Sequence, residues 1–258
     1  MKPSLVITAE GERAGILGQL RHLLPRLESS APPRTLPFGI AALDSRLPQG
    51  GLAFGALHEI APATTQDGPA AFGFAAALLG RLSPARPALL VTAPQGLAEN
   101  SRPHGHGLHR LGLQPARVIL VKTFNRKQTL WALEETLRAN GPGAVAGLLD
   151  RLDLRESQRL QLAARESGVP LLVLRHGQAP ESSVAVTRWR VGALPAARDR
   201  FGLLARWRWR LTLERCRNGQ TGEWLVEFDH AYRFSLAAAL ADPALSRRAG
   251  EQSVPHAG

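Results

Sequence analysis

Residues 57–70 read Leu-His-Glu-Ile-Ala-Pro-Ala-Thr-Thr-Gln-Asp-Gly-Pro-Ala, a short apolar run and then a loop where phosphate chemistry could sit. A loop that holds a nucleoside triphosphate needs the spacing Gly-x-x-x-x-Gly-Lys-Ser/Thr. Its amides cradle the phosphates, its lysine neutralises them and its hydroxyl holds magnesium. Here the loop runs from Ala61 and Pro62 to Asp67, Gly68, Pro69 and Ala70, and only Gly68 stands at a matching position. Pro69 takes the lysine's place and removes an amide donor, Ala70 takes the place of the hydroxyl, and Asp67 repels phosphate. Thr64 and Thr65 offer hydroxyls but no positive charge. Asp150 closes the apolar run Ala144–Leu149, where a magnesium-binding carboxylate would stand, but with no phosphate loop to share the metal an ordinary polar strand end is the favoured reading. After Ala88–Thr92 the chain continues Ala93-Pro94-Gln95, with no carboxylate to activate water. The catalytic set is missing at three separate places, so the expectation is no bound cofactor and no ATP hydrolysis.

The second chemical signal is charge. The formal net charge is +11, and nine arginines against two acids, Asp199 and Glu214, fall between Val184 and Arg217. Arg206-Trp207-Arg208-Trp209-Arg210-Leu211 alternates residue by residue, so a strand there turns its guanidiniums to one face and its apolar side chains to the other. The tryptophans read as core. Arg188 and Arg190 repeat the pattern around Trp189. Two adjacent arginine ladders on one face repel unless something negative sits opposite, which makes Arg188, Arg190, Arg206, Arg208 and Arg210 candidate contacts for nucleic acid or an acidic partner. A solvated basic surface is the plainer alternative.

Smaller signals carry less. His104, His106 and His109 cluster without an acid or cysteine to complete a metal site, so no metal is expected. Cys216, the one cysteine, excludes an internal disulfide and has no identifiable histidine to make it a nucleophile. Trp131, Leu133 and Leu137 read as the apolar stripe of a helix, with Glu134 and Glu135 turned away and able to pair with Arg138.

These residues need a scaffold, and the pattern supplies one. Apolar runs at 57–60, 88–92, 117–122, 144–149 and 170–174 alternate with helical stretches at 69–82, 106–111, 130–139 and 157–167. Strands that are apolar throughout, alternating with helices, imply a mainly parallel sheet covered on both faces. From 184 the texture changes to three antiparallel strands, 184–191, 205–215 and 223–228, the last two joined by a turn at Asn218-Gly219. The fold class expected is therefore α/β, with antiparallel strands on the C-terminal side. Residues 1–33 read as an amphipathic helix and linker, 34–240 as the domain, and 241–258 as a disordered tail. With no membrane-length apolar run and no secretory layout at the N-terminus, the expected location is the cytoplasm, with no membrane partner.

One resemblance gathers these signals. The stretches Leu36-Pro37-Phe38-Gly39-Ile40-Ala41-Ala42-Leu43-Asp44, Gly50-Gly51-Leu52 and Gly55-Ala56-Leu57-His58-Glu59-Ile60 are similar to the approach to the phosphate loop in RecA-family ATPases. Together with Leu111–Arg117, Leu130–Glu135, Ser157–Ala164, Thr187–Val191, Trp209–Gly219 and Trp224–Phe228, they make residues 34–237 resemble ImuA, the RecA-like and SulA-like accessory family of bacterial mutagenic translesion synthesis. The resemblance implies a RecA-like core and a damage-induced adaptor in the SOS response. It further implies partners in an ImuB-like inactive Y-family polymerase homologue and an error-prone polymerase, and a contact with RecA; DNA is a further candidate partner on the strength of the arginine-rich segment. A SulA-like inhibitor of cell division, or a DNA-stimulated ATPase with a cryptic nucleotide site, are the alternatives.

Overall fold

The structure is a computed structural model that describes residues 34–93, 103–139, 141–175 and 182–237. The expected N-terminal helix and C-terminal tail lie outside these residues.

The order of elements is β1 (Thr35–Leu36), α1 (Ala41–Asp44), β2 (Leu52–Ala53), β3 (Leu57–Pro62), α2 (Gly68–Leu82), β4 (Ala88–Thr92), α3 (Gly105–Arg110), β5 (Val118–Lys122), α4 (Arg126–Arg138), β6 (Ala144–Leu149), α5 (Leu154–Ser167), β7 (Leu171–Arg175), β8 (Thr187–Arg198), β9 (Leu204–Cys216), β10 (Gly222–Phe228) and β11 (Phe234–Leu236). Among the described residues, β1 and β2 form a small antiparallel pair, and the others join one nine-stranded sheet in the order β11-β10-β9-β8-β3-β7-β6-β4-β5. From β8 to β5 every pairing is parallel; from β8 outward to β11 every pairing is antiparallel. The fold class read from the sequence is borne out.

The two halves differ because they are covered differently. β3, β6 and β7 are buried along their whole length, with α2 packed on one face and α4 and α5 on the other. This is why they read as unbroken apolar runs. On β8, β9 and β10 only the α2 face is covered by the described residues. There Phe38, Phe74, Trp189, Trp209, Phe228 and Phe234 form one aromatic cluster, with ring centroids 4.8–6.2 Å apart. The opposite face of these strands carries the arginines.

Two details hold the N-terminal approach in place. The Asp44 carboxylate accepts the backbone N–H groups of Phe38, Gly39 and Ile40 at 2.7–3.1 Å, closing the turn before α1. Gly51 passes so close to β1 that a Cβ there would meet the Leu36 carbonyl carbon at 2.7 Å, which is why no side chain fits.

Candidate functional site

The loop after β3 is a tight structural turn. Thr64 and Asp67 form a reciprocal capping box, in which Asp67 accepts the Thr64 backbone N–H at 2.9 Å and its hydroxyl at 2.8 Å. The other Asp67 oxygen accepts the Ala193 N–H at 2.8 Å, tying the turn to β8. Burial raises the Asp67 pKa, but these hydrogen bonds outweigh it and hold the carboxyl below its ordinary value. Asp67 is thus a charged residue committed to holding its own loop. Gly68 and Pro69 open α2 directly, with Pro69 in the first turn where its missing N–H has no helical partner to lose.

Beside this turn, at the C-terminal ends of the parallel strands, lies a cavity of about 430 Å³. Pro62, Pro69, Ala70, Leu148, Leu174 and Trp207 are among the side chains lining it, so its wall is mainly apolar; Arg175, Arg208 and His104 supply the polar groups. Asp150, at the end of β6, has a side chain 70% exposed and lies 3.5 Å from Arg126 Nε. It also accepts the Arg151 N–H at 2.8 Å. It is not among the residues that line this cavity.

The ladder arginines share one face as expected, and the sheet itself supplies their counter-charges. Glu227 on β10 accepts Arg206 and Arg208, each at 2.7 Å. Burial raises the Glu227 pKa, but the two guanidiniums prevail and hold it below the carboxylate range. Arg190 pairs with Glu214 at 2.6 Å, and Arg210 lies 3.5 Å from Glu223. Arg188 reaches inward to Glu59 at 2.7 Å, where Arg175 also arrives at 3.3 Å. The repulsion that pointed to an outside anion is therefore met by carboxylates of β3, β9 and β10. Glu59 is fully buried, and its Oε1 has no hydrogen-bond partner among the described residues. Next to it in sequence but on the other face of β3, His58 is also fully buried. Its Nε2–H donates to the Ala53 carbonyl and its Nδ1 accepts from the Thr187 hydroxyl, both at 2.8 Å. Trp189 Nε1–H completes the chain by donating to the same Thr187 oxygen at 2.9 Å.

With this geometry in view, comparison with known proteins is direct. Protein ImuA of Caulobacter vibrioides, in strains NA1000/CB15N and ATCC 19089/CIP 103742/CB 15, is 32% identical over 229 residues, covering 82% of this chain and 92% of its own. The chain belongs to the ImuA family. No family model matches the chain. Among solved structures, SulA from Pseudomonas aeruginosa is 22% identical, with a TM-score of 0.38 over 46% of this chain and 96% of that one.

Other residues of this ImuA-family chain fall differently from their sequence reading. Trp131 is no part of a buried stripe: it is 63% exposed, while Leu133 and Leu137 are buried. Two positions apart on a helix is roughly 200° of rotation, so Trp131 and Leu133 cannot share a face. Glu134 likewise turns inward, gathered by Arg138 at 3.4 Å and by Arg159 of the neighbouring helix. Cys216 is half-buried, and burial pushes its thiol pKa up despite the surrounding arginines. The rings of His104 and His106 lie 5.5 Å apart, and no group of three potential metal ligands occurs among the described residues. No described helix is long and apolar enough to cross a membrane.

The residues that sequence reasoning missed are the glutamates. Glu59 sat inside an apolar strand, and a carboxylate in such a place needs a charged partner. Glu223 and Glu227 share a strand face by period two and stand across from the ladder, a signal available once the Asn218-Gly219 hairpin was read.

Proposed function

We propose that this ImuA-family protein is a non-catalytic accessory protein of damage-induced translesion DNA synthesis. In this reading it is a RecA-like core that joins an ImuB-like inactive Y-family polymerase homologue and an error-prone polymerase, and acts by binding. The observation that carries the non-catalytic part is the turn after β3. Where a phosphate loop would present amides and a lysine, Asp67 takes the Thr64 N–H and hydroxyl and the Ala193 N–H, Pro69 follows, and the adjoining cavity is mainly apolar. A triphosphate bound there would face the Asp67 carboxylate with no lysine beside it, and the two arginines of the cavity wall, Arg175 and Arg208, are already paired with Glu59 and Glu227. The adaptor part rests on family membership.

The test is turnover and binding with the full chain. Purified protein should hydrolyse no ATP above a no-enzyme control, with or without single-stranded DNA, and should show no heat of binding to a non-hydrolysable ATP analogue. Turnover that Asp150→Ala abolishes would overturn the non-catalytic reading. Failure to co-purify with the co-expressed polymerase homologue would overturn the adaptor reading.

A further inference from the structure

With the ladder arginines paired to carboxylates of the sheet, one basic surface that remains open among the described residues lies at the end of β8 and β9. β3 accompanies β8 only to Val191, and β10 accompanies β9 only from Trp207 onward. Opposite Gly192–Leu194, β9 is still flanked by β10; beyond them, where Ala197 faces Arg206 and Arg198 faces Leu204, the two strands pair with each other alone, with register shifts around Leu194 and Ala197. They form a short two-stranded arm that turns at 199–203.

The turn is defined by its own hydrogen bonds. Asp199 Oδ1 accepts the N–H groups of Phe201 and Leu203 at 2.8 and 2.9 Å, and the Asp199 N–H donates to the Leu203 carbonyl at 2.9 Å. Gly202 takes a left-handed conformation, φ +76°, and its carbonyl accepts Arg198 Nη1 at 2.6 Å. This scaffold presents two apolar side chains outward, Phe201 at 70% and Leu203 at 64% exposure. The Arg200 guanidinium lies over the Phe201 ring, 4.7 Å from its centroid. Arg198 and Arg200 are both exposed, and Arg206 and Arg110 stand at the base of the arm. The nearby acids are already engaged: Asp199 in the turn, Glu227 with Arg206 and Arg208, and Asp229 in the turn before β11.

An outward aromatic ring on a preorganised turn, flanked by cations whose neighbouring acids are occupied, matches a strand of exposed bases and regular phosphates. A protein interface of ordinary size needs about 800 Å² per partner with a desolvated centre, and a tip of five residues edged by guanidiniums does not provide that. A duplex hides its base faces; a single strand exposes them. We propose that the tip of this arm binds single-stranded DNA, with Phe201 stacking on a base and Arg198 and Arg200 contacting the adjacent phosphates.

The proposal stands apart from the accessory-protein reading, which survives if DNA is not bound. The test is fluorescence anisotropy of the full chain with a labelled oligothymidylate and, in parallel, a labelled duplex of equal length. Wild type should prefer the single strand. Phe201→Ala and Phe201→Leu should each weaken that binding about tenfold or more while leaving the melting temperature unchanged. Arg198→Ala with Arg200→Ala should lower the slope of log affinity against log salt by about 1.4. Single-strand affinity unchanged in these variants, equal affinity for the duplex, or loss of the polymerase partner with DNA binding intact would each overturn the proposal. The last result would make the arm a protein-binding surface.

Discussion

His58 shows how much one buried side chain can dictate. Burial removes the solvation that an imidazolium needs, and this outweighs the favourable Ala53 carbonyl, so its pKa falls from 6.5 to about 4. The native state therefore keeps His58 neutral where an unfolded chain would protonate it. Because the unfolded state binds the extra proton, the contribution to stability is complete above the unfolded pKa of about 6.5 and drains away as pH falls towards 4. The shift corresponds to about 3 kcal/mol across that window. Urea denaturation at pH 7 and at pH 4.5 should show most of that loss in the wild type and a much smaller loss in His58→Gln. Asp67 and Glu227, both held below the carboxylate range, lose their contributions only at lower pH, so the variant should flatten the upper part of the acid limb alone. An unchanged slope in His58→Gln would place the acid sensitivity elsewhere.

At the scale of elements, helix starts were the least legible feature and are the easiest to test. The periodicity of α5 places its beginning near Ser157, whereas the helix begins at Leu154, because Asp153 and Glu156 form a capping box that apolar spacing does not register. Asp153 accepts the Glu156 N–H at 2.8 Å, and Glu156 returns the bond to the Asp153 N–H at 3.0 Å. Asp153→Ala should cost about 1 kcal/mol in urea denaturation, and Asp153→Ser should recover most of it. The start of α4 was missed for the same reason, since Asn125 caps a polar first turn by accepting the Gln128 N–H at 3.0 Å. Strands were more legible. Parallel strands announce themselves as unbroken apolar runs, and Ala144–Leu149 and Ala88–Thr92 match their elements end to end. β8 runs beyond Val191 to Arg198 although Gly192 and Pro195 break the alternation, because past that point the strand answers to β9 alone and its bulges absorb the proline. The candidate site was legible only in part. Its arginines followed from period two, but their partners depended on register, which a single strand does not state.

For the whole molecule, unequal coverage of one continuous sheet predicts unequal stability within it. β3, β6 and β7 carry helices on both faces, and their amides are ladder-bonded on both edges. Opening any of them exposes apolar surface to both layers, so their exchange should require global unfolding. β8 and β9 share that protection only where β3, β10 or the Asp67 turn flank them; beyond Leu194 the arm pairs strand to strand alone and has a tip open to solvent. β11 is a short edge strand attached to β10 alone. Hydrogen exchange read by mass spectrometry should therefore divide the sheet within single strands. Peptides from β6 and β7 should be protected at the level of global stability, and those spanning 193–205 should exchange faster by several orders of magnitude. Adding urea below the unfolding transition should accelerate the first group strongly and leave the second nearly unchanged, since opening the arm exposes little buried surface. Uniform protection from β6 to the tip would mean that the arm opens only together with the core, and that unequal coverage of the sheet does not set its local stability.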